Sequence, residues 1–71
     1  MTTKTIDAQT IGERLRALRG SRTQKEVGEA VGVTAMAISQ FERGERVPAD
    51  STKMALAAYF KTTVEAIFFT F

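Results

Sequence analysis

The sequence predicts an all-α domain of five short helices, and three observations carry that reading. The 71-residue chain has a single proline, Pro48. Its Val, Ile and Thr residues do not alternate in period two, so no half-buried strand is signalled. A Thr-x-x-Glu spacing recurs at Thr10 with Glu13, Thr23 with Glu26 and Thr62 with Glu65. In such a capping box each side chain satisfies a backbone N–H of a helix's first turn.

The first helix is expected to open at Thr10, after a polar N-terminal arm of residues 1–9 that carries Lys4. Ile11, Leu15 and Leu18 fall at i, i+4 and i+7 and line one face. Gly20 and Ser21 stop it. The second helix opens at Thr23 and buries Val27, Ala30 and Val31. Gly32 ends it, because glycine tolerates the left-handed conformation of a tight helix exit. Thr34 caps the third helix, with Ile38 and Phe41 inward and Gly44 closing it. In the loop "ERVPAD", Pro48 keeps Val47 out of helix. Asp50 or Ser51 caps a fourth helix with Leu56, Ala57 and Phe60 on one face. The short fifth helix turns Val64, Ile67 and Phe68 inward. The domain thus spans residues 10–68, and residues 69–71 form an aromatic tail. "IFFTF" has high β propensity, which leaves room for a short C-terminal strand.

Composition narrows the functions. The chain has neither cysteine nor histidine, so it lacks thiolate ligands and the commonest general base and metal ligand. None of its eight acids forms an obvious inward-facing pair. No catalytic residue, metal or cofactor is expected, and an enzyme is disfavoured. A net charge of +2 is too mild to name a partner; the placement of the charges has to do that. No apolar run approaches the roughly 20 residues that span a bilayer. The polar N-terminus does not read as a signal peptide. The expectation is a cytoplasmic protein without a membrane segment and without a second, ligand-sensing domain.

The centre of the chain is a helix, a tight turn and a helix. Gly28 lies in mid-helix, where it costs about 1 kcal/mol against alanine, which a close approach by another helix would justify. Gly32 follows at the turn and Ile38 on the next helix, the spacing that a steep helix-turn-helix crossing needs. An ordinary αα corner has the same spacing. Ala35, Met36, Ser39 and Gln40 leave the outer face of the third helix small or uncharged.

"TQKEVGEAVGVTAMAISQFERGERVP" resembles the lambda-repressor/Cro-type, XRE-like helix-turn-helix family of DNA-binding regulators. Thr23, Gln24, Val27, Gly28, Gly32, Val33, Thr34, Ile38, Ser39, Phe41, Glu42, Gly44 and Pro48 match the family pattern. "IGERLRALR" and "LAAYFKTTVEAIF" extend the likeness over residues 11–68. The resemblance implies a compact five-helix fold whose third helix enters the major groove of double-stranded DNA. Ala35, Met36, Ser39 and Gln40 are then the base contacts. Gln40 suits the N6/N7 edge of adenine, and Ala35 and Met36 suit a thymine methyl. Thr23, Gln24, Lys25, Thr34, Arg43 and Arg46 are the implied phosphate contacts. Arg19 and Glu42 are the implied structural ion pair.

Three positions depart from the pattern. Many family members carry glutamine, arginine or lysine where Ala35 and Met36 stand, so DNA shape is expected to share in recognition. Lys53 replaces a usual leucine, and its stem is expected along the core edge with its amine in water, or Met54 is expected to compensate.

Phe69 and Phe71 exceed what so small a domain can bury at its end. Ile67, Phe69 and Phe71 are therefore expected to form a homodimer interface, which would set two third helices about 34 Å apart on a palindromic operator. Folding back onto the chain's own core is the alternative. The functional expectation is a transcription regulator of repressor, Cro-like or controller type. A protein-interaction module or antitoxin of the same fold is the rival, with polymerase or a toxin as the protein partner.

Overall fold

The computed structural model describes residues 4–5 and 7–70. Five helices follow one another: α1 (Ala8–Arg19), α2 (Gln24–Val31), α3 (Ala35–Glu42), α4 (Asp50–Tyr59) and α5 (Val64–Phe68). A two-residue strand flanks them at each end, β1 (Lys4–Thr5) and β2 (Phe69–Thr70). The strands pair antiparallel, Lys4 opposite Thr70 and Thr5 opposite Phe69. The tail therefore folds back on its own chain.

Four of the five helix starts are set by side-chain oxygens, and three of the five cap positions differ from the expectation. Asp7, not Thr10, caps α1, its Oδ1 accepting from Thr10 N at 2.9 Å. A carboxylate there also meets the positive end of the helix dipole, so the helix begins at Ala8. Thr23 and Thr34 cap α2 and α3, each accepting from the N–H three residues on at 3.0 Å. The α4 cap position is Ala49, without a side-chain bond, and Asp50 acts as a charge in the first turn. Thr63, not Thr62, caps α5, accepting from Ala66 N at 3.1 Å. Thr62 is engaged elsewhere: its N–H closes the end of α4 on the Ala57 carbonyl at 2.9 Å.

The core is drawn from every helix. Ile11, Leu15, Val27, Ile38, Phe41, Leu56, Ile67 and Phe68 are all buried. Each such side chain contributes roughly 1.5–3 kcal/mol against exposure. Ala30 is exposed; the small residue that α2 turns to the core is Gly28, beside Val27. Gly28 serves twice. A Cβ on it would stand 2.7 Å from the Val33 carbonyl oxygen, so α2 and the start of α3 touch backbone to side. Its own carbonyl accepts from Gly32 N and Val33 N, both at 2.9 Å, which closes the turn while Gly32 adopts φ 85°. Gly12 does the same for α1 and α3. A Cβ there would overlap the Glu42 carbonyl oxygen and stand 2.6 Å from that of Phe41.

Two expectations about the C-terminal half are corrected. Ile67 is 1% exposed within its own chain and has no surface to offer a second copy. The Lys53 amine is not simply in water. It lies 5.5 Å from the Phe68 ring centre and 6.0 Å from that of Phe69, and 3.8 Å from Asp50 Oδ1. Met54 does not compensate, being 66% exposed. Arg14 ties the tail down from α1, its Nη1 donating to the Ala66 carbonyl at 2.8 Å and that of Phe69 at 3.4 Å. Phe69 is half-buried against the core, and Phe71 lies outside the described residues.

Candidate nucleic-acid interface

The third helix buries Ala37, Ile38 and Phe41 on one side. The 3.6-residue period then sends Ala35, Met36, Ser39 and Gln40 to the other. Met36 is 68% exposed, which removes it from the core; Ala35, Ser39 and Gln40 are half-buried. The stripe is apolar at the helix start and neutral-polar one turn on.

Its acid is turned away. Glu42 is 5% exposed and sits inside a cage of donors. Arg19 Nε donates to Glu42 Oε2 at 2.6 Å and Arg19 Nη2 to Oε1 at 3.1 Å. Gln24 Nε2 donates to the same Oε1 at 3.0 Å, and Arg16 Nε stands 3.8 Å away. Burial pushes the Glu42 carboxyl up. The hydrogen bonds from Arg19 and Gln24, with the charges of Arg19 and Arg16, outweigh that and leave it below the usual carboxylate range. The bond to Glu42 raises Arg19 in turn, against its own desolvation. One carboxylate thus joins α1, α2 and the end of α3, and among the described residues no buried side-chain polar atom lacks a partner.

Two arginines border the stripe at its C-terminal end, and α2 carries a further exposed cation. Lys25 is exposed in the first turn of α2, next to the capping Thr23 and to Gln24. Gln24 is half-buried, and its amide is shared with the Glu42 cage. The Thr34 hydroxyl accepts from Ala37 N and so has its own hydrogen free to donate. Arg43 and Arg46, both exposed, reach back over the helix. Arg43 Nη1 donates to Ser39 Oγ at 2.8 Å, and Arg46 Nη1 to Gln40 Oε1 at 3.3 Å. The Arg46 guanidinium also lies 5.5 Å from the Phe41 ring centre. The bond to Gln40 turns the carbonyl of that amide toward Arg46.

Reading residues one at a time missed several partners. Gly12, Arg14 and Arg16 carry no motif signal of their own, since each acts through a group distant in sequence, and Glu45 acts through the side chain of Arg43, in a pairing that no motif reports. Arg22 stacks 5.4 Å from the Tyr59 ring centre and 5.7 Å from that of Phe60, which occupies it on the fold itself. Among the described residues there is no cluster of three His, Cys, Asp or Glu that could hold a metal ion, and no helix long and apolar enough to cross a membrane.

Known proteins share this fold. The helix-turn-helix domain family matches residues 10–67. The P22 c2 repressor, solved in complex with synthetic operator 9T, is 36% identical. That likeness covers 83% of this chain and 92% of the repressor chain, with a TM-score of 0.80. The restriction-modification controller protein C.AhdI from Aeromonas hydrophila is 25% identical over 87% of this chain and 93% of its own, with a TM-score of 0.79. The SOS-response transcriptional repressor LexA from Eubacterium rectale is 25% identical over 86% of this chain and 69% of its own, with a TM-score of 0.78. No curated protein sequence matches the chain. With a buried carboxylate locking three helices, an uncharged outer stripe on the third, and this likeness over most of its length, the chain belongs to the lambda-repressor-like, XRE-type family of helix-turn-helix DNA-binding regulators.

Proposed function

We propose that the protein regulates transcription by occupying a palindromic operator as a homodimer, reading it with the outer stripe of α3. The observation that carries this is the inward burial of Glu42, which leaves Ala35, Met36, Ser39 and Gln40 free of negative charge between flanking cations. A groove-facing helix needs that, because a carboxylate there would repel phosphates. Gln40 presents its amide for adenine, Ala35 and Met36 offer apolar contact to thymine methyls, and Ser39 bonds a base or a phosphate. Thr23, Gln24, Lys25, Thr34, Arg43 and Arg46 hold the backbone on either side. With Ile67 in the core, a homodimer would rest on what this end leaves accessible of Phe69.

The test is a salt titration of binding to two duplexes, one random and one selected from a random pool by the protein itself. Affinity for both should fall with salt by about 0.9 log units per log unit for each phosphate neutralised. Gln40→Ala should cut the preference for the selected site by about 5- to 150-fold, the equivalent of ~1–3 kcal/mol, and leave the random duplex unaffected. Sedimentation of the protein on the selected site should give two chains per duplex. Absence of binding even at low salt would leave the fold serving a protein partner instead.

A further inference from the structure

The two arginines that follow α3 are held differently. Among the described residues, Arg46 hydrogen-bonds Gln40 and lies over the Phe41 ring. Arg43 is gripped from two sides: its Nε and Nη2 donate to the two oxygens of Glu45, both at 3.0 Å, while Nη1 donates to Ser39 Oγ at 2.8 Å. A guanidinium has five N–H groups in a rigid plane, and three of these are thereby fixed. The remaining two, one on each terminal nitrogen, form a fork whose position is set by Ser39 on the reading stripe. Both partners of the clamp are about half exposed, so it contributes little to folding and its effect lies in where it holds the guanidinium. The hydrogen bonds between them hold Glu45 below the usual carboxylate range and raise Arg43, so both stay charged at neutral pH.

We propose that Glu45 is a positioning residue for specificity. It neutralises Arg43 and pins it against Ser39, so that the backbone contact of this cation forms only on a site in register with α3 and adds little on random DNA. Arg43 is then presented as a fixed fork that engages only where the duplex offers a pair of acceptors in register with α3. The observations that separate this from a chance surface pair are the two-point geometry and the third bond to Ser39. A freely moving arginine at the end of a reading helix would neutralise any nearby phosphate, and tighten binding to all DNA alike.

This inference rests on the operator-reading function above, and the test separates the two. Glu45→Gln is compared with wild type, Arg43→Ala and the double variant Arg43→Ala, Glu45→Gln, on the random and the selected duplex across a salt series. Glu45→Gln should bind the random duplex about three- to tenfold more tightly near 0.1 M salt, with a salt slope steeper by about 0.9 per protomer. Its preference for the selected site should fall. In the Arg43→Ala background the same substitution should change little, because the coupling runs through Arg43. An equal gain in both backgrounds would show that Glu45 acts only as bulk negative charge and would overturn the proposal; so would no gain in either. If wild type binds neither duplex at low salt, the operator-reading function itself fails, and the role of Glu45 with it.

Discussion

Replacing Gly12 by alanine is expected to destabilise the domain by about 3 kcal/mol or more, although alanine is the better helix former by about 1 kcal/mol. The two effects oppose each other, and the geometry decides between them. A Cβ at position 12 would overlap the Glu42 carbonyl oxygen and stand 2.6 Å from the Phe41 carbonyl oxygen. These are backbone atoms in the last turn of α3, so no side chain can rotate aside. Relief requires α1 to move away from α3, which pulls Arg19 away from Glu42 as well. A domain of this size holds roughly 4–10 kcal/mol in all. Thermal unfolding should therefore drop by more than about 12 °C, taking 4–8 °C per kcal/mol for a chain of this length. An unchanged or higher midpoint would mean that propensity rules at this position and that the close α1–α3 approach is not as described.

Removing the arginine from the Glu42 cage should have a comparable effect with a distinct pH signature. In Arg19→Ala the carboxylate keeps Gln24 and the more distant Arg16 but loses both guanidinium bonds, its shortest contact among them. Breaking a buried pair on one side costs about 3–5 kcal/mol; the lower end applies here because Arg19 is itself partly exposed. The sign of the pH dependence follows from the direction of the shift. In the wild type Glu42 lies below its unfolded value. Its contribution is thus fully present above the ordinary carboxylate range, near about 4, and is lost as pH falls through the depressed value. Without Arg19, burial dominates and lifts the carboxyl above that range. Stability of the variant relative to wild type should then improve as pH falls from about 7 toward 4, because the protonated form no longer carries an unpaired charge. Urea unfolding at several pH values measures this. A constant difference between the two proteins would show that the loss is one of packing. The double replacement Arg19→Met, Glu42→Leu should recover much of the stability, since an apolar pair carries no desolvation penalty.

Both predictions lie where sequence reading was uneven. Gly28 was legible because a glycine in mid-helix four residues before a turn glycine is anomalous, and the close approach of Val33 explains it. Gly12 is the same device in α1, but its partner lies thirty residues on, and no local pattern reports a contact of that separation. The capping residues divide in the same way. Thr23 and Thr34 cap where the spacing says they should, because each follows a tight turn that leaves one geometry open. Asp7 displaces Thr10, and Thr63 displaces Thr62, because competing oxygens lie close by and the surrounding chain chooses between them.

The outer stripe of α3 follows from its sequence alone, since helical period and the apolar residues Ala37, Ile38 and Phe41 leave no other face for Met36, Ser39 and Gln40. The same holds for the helical class, the order of the helices and the turn at Gly32. Local propensity and periodicity act over a few residues, and a chain of short capped helices states them openly. What joins distant segments was decided by the tertiary structure: the place of Ile67 in the core rather than at an interface, the pairing of β1 with β2, and the tie from Arg14 to the tail. A residue's burial depends on how all five helices close around it, and the partner of an arginine depends on which acceptor the closed chain brings within about 3 Å. Neither is encoded in the few residues on either side.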